Sequence, residues 1–256
     1  MKFVVFKKED KDVSKEENLL LNECKKHDLV LDESNPDIVF VLGGDGTFLK
    51  AVHHYLDRID SLKFIGIRCG TLGFFYDFNK DEVVEAVDLL VSNKCTLNSY
   101  KLLQAKVGKE TIYALNEIGI ARSFHSIECL VKINNIELER FNGNGLLVCS
   151  PIGSSGYNKS LGGALLDHNL DALELSEISS IQNNLYKSLN SPLVLKGDSI
   201  ITFEGNFNKI KIGYDNKTLK CIEENVIEIK YSNKVVNIIR KNNQSGLDSI
   251  KRSFIK

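Results

Sequence analysis

The sequence contains no apolar stretch that approaches the ~20 residues needed to cross a bilayer. It also has no excess of charge, because 33 Lys and Arg residues balance 34 Asp and Glu residues for a formal net charge of −1. Nothing in this balance favours a nucleic acid or a membrane surface as partner. The N-terminus turns charged from Lys7 onward, which indicates a first strand and not a signal peptide.

Cysteine and histidine patterns for metal binding are also missing. The 6 cysteines form no CxxC pair and show no metal-ligand spacing, so we expect isolated, mostly buried thiols in a reducing compartment. The histidines match neither a metal site nor a catalytic triad, so no metal-binding residue is predicted. The protein is therefore expected to be cytoplasmic. The cysteines are Cys24, Cys69, Cys95, Cys129, Cys149 and Cys221.

Residues 1–99 alternate strand and helix patterns. A run of β-branched and aromatic residues at 37–42 is typical of a strand that is buried on both faces. A helix over residues 14–27 is predicted with Ser14 as its N-cap. This order favours a parallel α/β domain. The predicted strands are 2–6, 37–42 and 63–67, and the predicted helices are 14–27, 47–56 and 81–92.

Residues 100–239 change to short strand patterns separated by Asn, Gly and Asp turns, which predicts a β domain. One polar, Gly-rich segment, 153–189, is expected to be irregular and partly helical. The tail 246–255 is a weak amphipathic helix. The predicted strands are 102–107, 111–115, 128–133, 136–141, 145–149, 193–195, 199–203, 209–214, 226–231 and 235–239.

The segment GGDGT, which follows the buried strand at 37–42, is the first that carries chemistry. Glycines at the start of a helix let a ligand approach closely, and the helix N-terminus offers N–H groups to phosphate. The segment lacks the further glycine of GxGxxG and the GK[ST] of a P-loop. Asp45 could hold a divalent cation, accept a proton from a hydroxyl under attack, or merely cap the helix.

Three further segments are candidates for ligand contact. In ALNEI, the side chains of Asn116 and Glu117 could form hydrogen bonds with a ribose or with the edge of a base, or the pair could form an exposed turn. The Gly/Ser-rich run 142–163, with Tyr157 at its centre, suits a nucleotide or is a structural loop. The sequence YDN at Asp215 is a hairpin turn or part of a site. The serines of the Gly/Ser-rich run lack a GxSxG context, so a serine hydrolase is not expected.

Taken together, these segments resemble the bacterial NAD kinase family. They are GGDGTFLKA, IGIRCGTLGF, ALNE, GNGLLVCSPIGSSGYNKSLGG, SPLV and Asp215. GGDGT alone is shared with lipid kinases and phosphofructokinases, whereas its combination with NE and a tyrosine-bearing loop is far more specific. A lipid or sugar kinase is disfavoured for that reason.

The resemblance implies that the protein transfers the γ-phosphoryl group of ATP to the 2′-hydroxyl of the adenosine ribose of NAD, with a divalent cation such as Mg²⁺. Asp45 would be the general base. The implied fold is an N-terminal Rossmann-like α/β domain (1–99, with 240–256 returning to it) and a C-terminal β-sandwich domain (100–239), with a C-terminal helix on the first domain. Family members complete their site with a neighbouring subunit around residues 179–183, which implies a homotetramer or dimer. The substrate-binding residues implied are Gly44, Gly46, Phe74, Asn116, Glu117, Asn142, Asn144, Ile152, Ser155, Gly156, Tyr157, Asn158, Lys159, Ser160, Ser179, Asp215 and Asn216.

Three positions depart from the family pattern. Asn144 stands where the family usually has aspartate, Gly156 where it has alanine, and Asn142 where close relatives carry arginine. Asparagine keeps an acceptor oxygen but loses the charge, and charged hydrogen bonds are about twice as strong as neutral ones. We therefore expect weakened NAD binding. The alternative is a dinucleotide-binding protein whose kinase activity is lost or reduced.

Overall fold

The computed structural model describes residues 1–8, 12–70, 73–183, 187–208, 210–220, 225–242 and 246–255. Its chain divides into two units, one formed by Met1–Tyr100 with Lys234–Lys256 and the other by Lys101–Asn233. No helix in the described ranges is both long and apolar enough to span a membrane.

The N-terminal part of the chain alternates strands and helices, as its sequence predicts. Two short 3₁₀ helices, Leu56–Ser61 and Lys80–Glu82, lie between the longer elements. The elements are β1 (Lys2–Lys7), α1 (Ser14–Lys26), β2 (Val30–Leu31), β3 (Ile38–Gly43), α2 (Asp45–His54), β4 (Lys63–Arg68), β5 (Phe78–Asn79) and α3 (Val83–Val91).

The remainder of the chain is mostly strand. A 3₁₀ turn at Ile152–Ser155 precedes its one short α-helix within the described part of the second unit. The elements are β6 (Cys95–Val107), β7 (Glu110–Ala114), β8 (Glu117–Ala121), β9 (Ile127–Ile133), β10 (Ile136–Gly143), β11 (Gly145–Cys149), α4 (Tyr157–Ser160), β12 (Ala172–Ile178), β13 (Leu193–Lys196), β14 (Ile201–Gly205), β15 (Lys211–Tyr214), β16 (Lys217–Lys220), β17 (Val226–Lys241) and α5 (Gly246–Phe254).

The first unit is built on a parallel sheet. Strands β2, β1, β3 and β4 are neighbours in that order, and β5 and the end of β17 both pair in parallel with β4. Every residue of β3 is buried, as expected for a central strand of a sheet covered on both faces. Helix α5 returns to this unit, where the ring centroid of Phe254 lies 5.4 Å from that of Phe74. The α/β fold and the returning helix are thus confirmed.

The second unit is a β-sandwich. One antiparallel sheet has the order β13, β12, β11, β8, β15, β16, and β10, β9, β14 and the beginning of β17 form the other. Apolar side chains of both sheets meet in one core, for example Val131 and Phe203 of one sheet with Ile120 and Val148 of the other. The predicted β-sandwich is therefore confirmed.

Three local predictions were wrong. Ser14 is the first residue of α1 and not its cap, because the N-cap position belongs to Val13, and the Asp12 carboxylate accepts the Ser14 N–H at 3.0 Å. The segment 153–189 is not irregular throughout, since it contains β12, an interior strand of its sheet. Residues 226–231 and 235–239 belong to the single strand β17, and the separating Ser232 is itself buried.

The prediction that the cysteines are isolated and mostly buried agrees with the structure. Cys24, Cys69, Cys129 and Cys149 are buried and Cys95 is half-buried, and all five are free thiols. Cys221 lies outside the described residues.

Candidate active site

Asp45 is the first residue of α2 and is held by a turn that is distant in sequence. Its Oδ1 accepts the N–H of Phe74 at 2.9 Å and of Phe75 at 3.3 Å, and its Oδ2 accepts the Phe74 N–H at 3.1 Å. The N-cap of α2 is Gly44, and no side-chain hydrogen bond caps this helix. Asp45 therefore does not serve as a helix cap, and backbone N–H groups fix its carboxylate.

The turn that holds Asp45 is packed too tightly at Gly73 for a larger residue. A Cβ on Gly73 would lie 2.7 Å from the ring of Tyr76 and 3.4 Å from the Asp45 Oδ1 atom. The Tyr76 hydroxyl donates to the Gly44 carbonyl oxygen at 2.8 Å and so ties the turn to the start of α2. A glycine at position 73 is what allows the turn to approach the carboxylate.

The electrostatics at Asp45 favour a carboxylate that can take up a proton. Burial raises the pKa of Asp45 above its ordinary value, and the N–H groups of Phe74 and Phe75 and the charges of Arg240 and Arg68 only partly oppose this. A raised pKa brings a carboxylate closer to the range in which a general base works best.

In the second unit, Asp215 holds the segment that contains Asn116 and Glu117. The Asp215 carboxylate accepts the Leu115 N–H at 2.9 Å and the Asn116 N–H at 2.8 Å, and the Asp215 N–H donates to the Glu117 carbonyl oxygen at 3.1 Å. Asp215 stands in the turn between β15 and β16 with a φ of +50°, a conformation that Asp and Asn tolerate best after Gly. The YDN segment is thus a hairpin turn and also a support for the NE pair.

Asn116 and Glu117 each present a buried polar atom that has no hydrogen-bond partner among the described residues. Asn116 Oδ1 and Glu117 Oε2 make no hydrogen bond with any part of the chain that the structure describes. Burial, and secondarily the negative charge of Asp215, raises the pKa of Glu117 to about 8, so its carboxyl is mainly protonated at neutral pH. Buried polar groups without partners cost free energy, and a bound polar ligand would satisfy them.

The Gly/Ser-rich run packs directly on this pair. A Cβ on Gly153 would lie 2.2 Å from the Asn116 carbonyl oxygen, and a Cβ on Gly156 would lie 3.3 Å from Glu117 Oε2. Ser150 adds a hydrogen bond from its hydroxyl to the Leu115 carbonyl oxygen at 2.6 Å. Gly153 is therefore required by the close approach of this loop to the NE backbone.

Asn158 shows how the loop is held from inside. It is fully buried, its Nδ2 donates to Glu174 at 2.9 Å, and its Oδ1 accepts the Ser176 hydroxyl at 2.7 Å. The other oxygen of Glu174 accepts the Ala164 N–H at 2.7 Å. Glu174 and Ser176 lie on β12, and these polar residues explain why its sequence, ALELSEI, does not predict a buried strand. The side chain of Asn158 thus fixes the loop through hydrogen bonds within the protein.

Asn142, Asn144 and Ser179 lie near the turn between β10 and β11. The Asn144 N–H donates to the Ile178 carbonyl oxygen at 2.8 Å, and its side-chain Nδ2 donates to the carbonyl oxygen of His125 at 3.3 Å. Asn142 Oδ1 is buried without a hydrogen bond to any described residue. Ser179 is exposed with a φ of +48°. An aspartate at position 144 would keep the backbone bond to Ile178 but would lose the side-chain bond to His125, since a carboxylate has no N–H to donate.

The remaining predicted residues differ in accessibility. Ile152 is buried and Ser155 is half-buried, whereas the others are open to solvent and Tyr157 is 50% exposed. The exposed ones are Gly156, Tyr157, Lys159, Ser160 and Asn216.

The structure thus gathers the predicted residues into two groups. Gly44, Asp45, Gly46 and Phe74 belong to the first unit. In the second unit, Asn116, Glu117, Gly156 and Asp215 come into contact, although Asp215 and Asn116 are 99 residues apart in sequence.

Sequence reasoning missed several supporting residues. Near Asp45 these are Phe75, Tyr76 and Arg240, and in the second unit they are Ser150, Glu174 and Ser176. The available signal was a polar residue within or at the end of an apolar run, as at Arg240 after VVNII and Glu174 within ALELS.

Potential metal ligands are sparse in the described ranges. One group has its ligand atoms within 4.8 Å of one another, namely Glu23, His27 and Asp88, and His27 Nε2 lies 3.0 Å from Asp88 Oδ1 and 3.6 Å from Glu23 Oε1. Asp45 is not part of that group.

Comparison with known proteins decides the family. Residues 5–95 match the family model described as the ATP-NAD kinase N-terminal domain, and residues 115–241 match that of the ATP-NAD kinase C-terminal domain. The chain belongs to the NAD kinase family. The resemblance in GGDGT, NE and the Gly/Ser-rich run is thereby confirmed.

Sequence relatives and solved structures agree with this assignment. The kinase is 34% identical to an NAD kinase of Leuconostoc citreum over 100% of this chain and 98% of the relative. It is 38% identical to NAD kinase 1 of Listeria monocytogenes, covering 90% of this chain and 89% of the relative. Its fold is similar to that of a yeast NADH kinase complexed with NADH, with a TM-score of 0.85 and 18% identity over 98% of this chain and 86% of the other. An NAD kinase from Archaeoglobus fulgidus in complex with ATP has a TM-score of 0.79 and 20% identity, over 98% of this chain and 95% of the other.

Proposed function

We propose that this chain is an ATP-dependent NAD kinase that phosphorylates the 2′-hydroxyl of the adenosine ribose of NAD, with Asp45 as the general base. Its family membership and its relatives named NAD kinase support the reaction. The observation that carries the role of Asp45 is its carboxylate, held by the N–H groups of Phe74 and Phe75 at the start of a helix.

In this proposal Asp45 takes the proton of the ribose hydroxyl as the hydroxyl oxygen bonds to the γ-phosphorus. The bond from that phosphorus to the β–γ bridging oxygen breaks, and ADP leaves. Backbone donors fix the carboxylate in one orientation, and Oδ2, which accepts only the Phe74 N–H, keeps acceptor capacity for the hydroxyl proton. The raised pKa strengthens it as a base. Because the N-terminus of α2 carries partial positive charge, it favours phosphate groups nearby.

ATP enters as a substrate together with its Mg²⁺ ion, which neutralises charge on the phosphates. NAD is the second substrate, and Asn116 and Glu117 bind its adenosine end. With a pKa of about 8, Glu117 is mainly a hydrogen-bond donor at neutral pH, while Asn116 Oδ1 is an acceptor. Ser155, Gly156, Tyr157 and Ser160 surround the base and ribose, where the half-exposed ring of Tyr157 offers a stacking face.

We further propose that the enzyme is cytoplasmic and forms a homodimer or homotetramer. In this assembly the segment 179–183 of one subunit contributes to the dinucleotide site of a neighbouring subunit. The exposure of Ser179 and of Ile181, which is 44% exposed, supports this role for the segment. Sedimentation of the purified protein gives the oligomeric state, and a monomer would contradict the proposal.

The reaction is tested by mixing the protein with Mg²⁺, ATP and NAD and measuring NADP with an NADP-specific dehydrogenase. We expect NADP formation that requires both ATP and NAD. NAD binding by calorimetry without any NADP formation would instead identify a dinucleotide-binding protein.

A further inference from the structure

Arg240, near the end of β17, forms a buried ion pair with Asp77. The two side chains are 6% and 3% exposed, and Arg240 Nη1 lies 3.4 Å from Asp77 Oδ1. Asp77 Oδ2 also accepts the Lys241 N–H at 3.1 Å. A buried ion pair is weak evidence for stability, because well-packed apolar residues often replace one without loss. Its presence in this position therefore calls for another explanation.

The same Nη1 atom donates to the Phe74 carbonyl oxygen at 3.2 Å. That oxygen belongs to the planar peptide group whose N–H is that of Phe75, and in a trans peptide the C=O and the N–H point in opposite directions. The Phe75 N–H in turn donates to Asp45 Oδ1. Arg240 therefore holds the carbonyl oxygen of this peptide group on one side and so directs the Phe75 N–H towards Asp45 on the other.

We propose that Arg240 is a positioning residue, which fixes the Phe74–Phe75 peptide so that its N–H holds the Asp45 carboxylate in the orientation needed for proton transfer. The inference rests on the proposed role of Asp45 as the base. Arg240 acts through the peptide and contacts no reacting atom in this account. Asp77 anchors the guanidinium from the other side, so that Arg240 is held between the turn and its own ion pair.

Arg240 also acts on Asp45 through its charge. Among the described residues, the charged groups that act on Asp45 are Arg240 and Arg68, and both lower the pKa of its carboxyl against the larger effect of burial. Tyr76, whose pKa is raised well above 10 by burial, faces Asp45 as a neutral phenol. Loss of the Arg240 charge therefore raises the pKa of Asp45 further, and the rate should begin to fall at a higher pH on acidification.

The test compares kcat over a range of pH in matched variants. The double variant Arg240→Met with Asp77→Leu removes both charges together, which avoids an unpaired buried charge. We expect its kcat to fall about tenfold or more, and its KM for NAD to change less than about twofold. The acidic limb of its kcat–pH profile, where kcat falls as Asp45 becomes protonated, should move to higher pH. In Arg240→Lys an ammonium group takes the place of Nη1, the one atom that contacts both the Phe74 carbonyl oxygen and Asp77. We therefore expect a kcat within about threefold of wild type and an unchanged acidic limb of the kcat–pH profile.

A folded double variant with wild-type kcat and an unmoved acidic limb would overturn the inference. Should circular dichroism show that this variant does not fold, the double variant Arg240→Gln with Asp77→Asn gives the answer, because it also leaves no buried charge unpaired and shortens the side chain that holds the Phe74 oxygen. Its acidic limb must then move to higher pH, and an unmoved limb overturns the inference. Asp45→Asn, measured alongside, separates the two proposals. If Asp45→Asn retains activity, the role of Asp45 as the base is refuted. If Asp45→Asn loses activity while the double variant is unaffected, only the role of Arg240 is refuted.

Discussion

The carboxylate of Asp215 holds the backbone of Asn116, with 2.8 Å between Asp215 Oδ1 and the Asn116 nitrogen. Its Oδ2 accepts the preceding N–H, that of Leu115, so both oxygens support the segment that leads into β8. A hairpin turn of one strand pair thus sets the position of the NE pair on another strand.

Asp215→Asn should weaken this support, because a carboxamide has one acceptor oxygen and no charge. We expect the free energy of unfolding to fall by about 1–3 kcal/mol and the Kd for NAD to rise, as measured by urea denaturation and calorimetry. Asp28→Asn is the matched control, since Asp28 also has a positive φ, of 56°, and is exposed. Equal losses in the two variants would contradict the account.

Glu117→Gln tests the protonation of the buried carboxyl. The pKa of Glu117 is raised from 4.5 to about 8 in the folded protein, so the folded state binds its proton more tightly than the unfolded state does. Its contribution to stability is complete below pH 4.5 and is lost as the pH rises towards 8. We expect the glutamine variant to lack this loss, so that its Tm relative to wild type rises by a few degrees between about pH 5 and pH 8. A difference in Tm that stays constant over this range would show that Glu117 titrates normally.

Gly153→Ala should be strongly destabilising. The added Cβ would lie 2.2 Å from the Asn116 carbonyl oxygen, and a backbone oxygen cannot yield as a flexible side chain can. We expect a loss of about 3 kcal/mol or more in the free energy of unfolding, together with weaker NAD binding. Gly213→Ala is the control in the same unit, because no atom lies within 4 Å of its added Cβ. The prediction fails if both variants melt at the same temperature.

Asn144→Asp should have two opposite effects. A carboxylate would strengthen hydrogen bonds to the exocyclic amino groups of the dinucleotide, which lowers the Kd for NAD. It would also remove the donor that now bonds to the carbonyl oxygens of His125 and Arg122, which lowers the Tm. Calorimetry and thermal melting of the same sample separate the two effects. Unchanged NAD affinity would mean that Asn144 does not explain any weakness in NAD binding.

Much of the fold could be predicted from apolar runs and from the alternation of strand and helix patterns in the sequence. The buried strand β3 and the alternating elements around it are visible because their apolar runs are uninterrupted. Strand β12 is hidden, since Glu174 and Ser176 face an interior where Asn158 and the Ala164 N–H need polar partners. A buried polar network looks like a loop in sequence, because its partners lie elsewhere in the chain.

The candidate site divides in the same way. Asp45, Asn116 and Glu117 stand out as polar residues beside apolar runs or glycines, and the family resemblance gives them roles. The residues that hold them show the same local signal, a polar residue beside an apolar run, but it does not reveal what they contact. The contact of Arg240 with the Phe74 carbonyl oxygen spans 166 residues and involves a backbone atom, so no local pattern predicts it.

The central claim is that Asp45 accepts the proton of the ribose hydroxyl. Asp45→Asn keeps an acceptor for the Phe74 N–H and removes the base, and Asp57→Asn is an exposed control in the same unit. The direct measurement is the rate of NADP formation at saturating ATP and NAD. We predict a fall of about 100-fold or more in Asp45→Asn, with NAD affinity close to wild type and no change in Asp57→Asn. A rate in Asp45→Asn within about threefold of wild type would contradict the account.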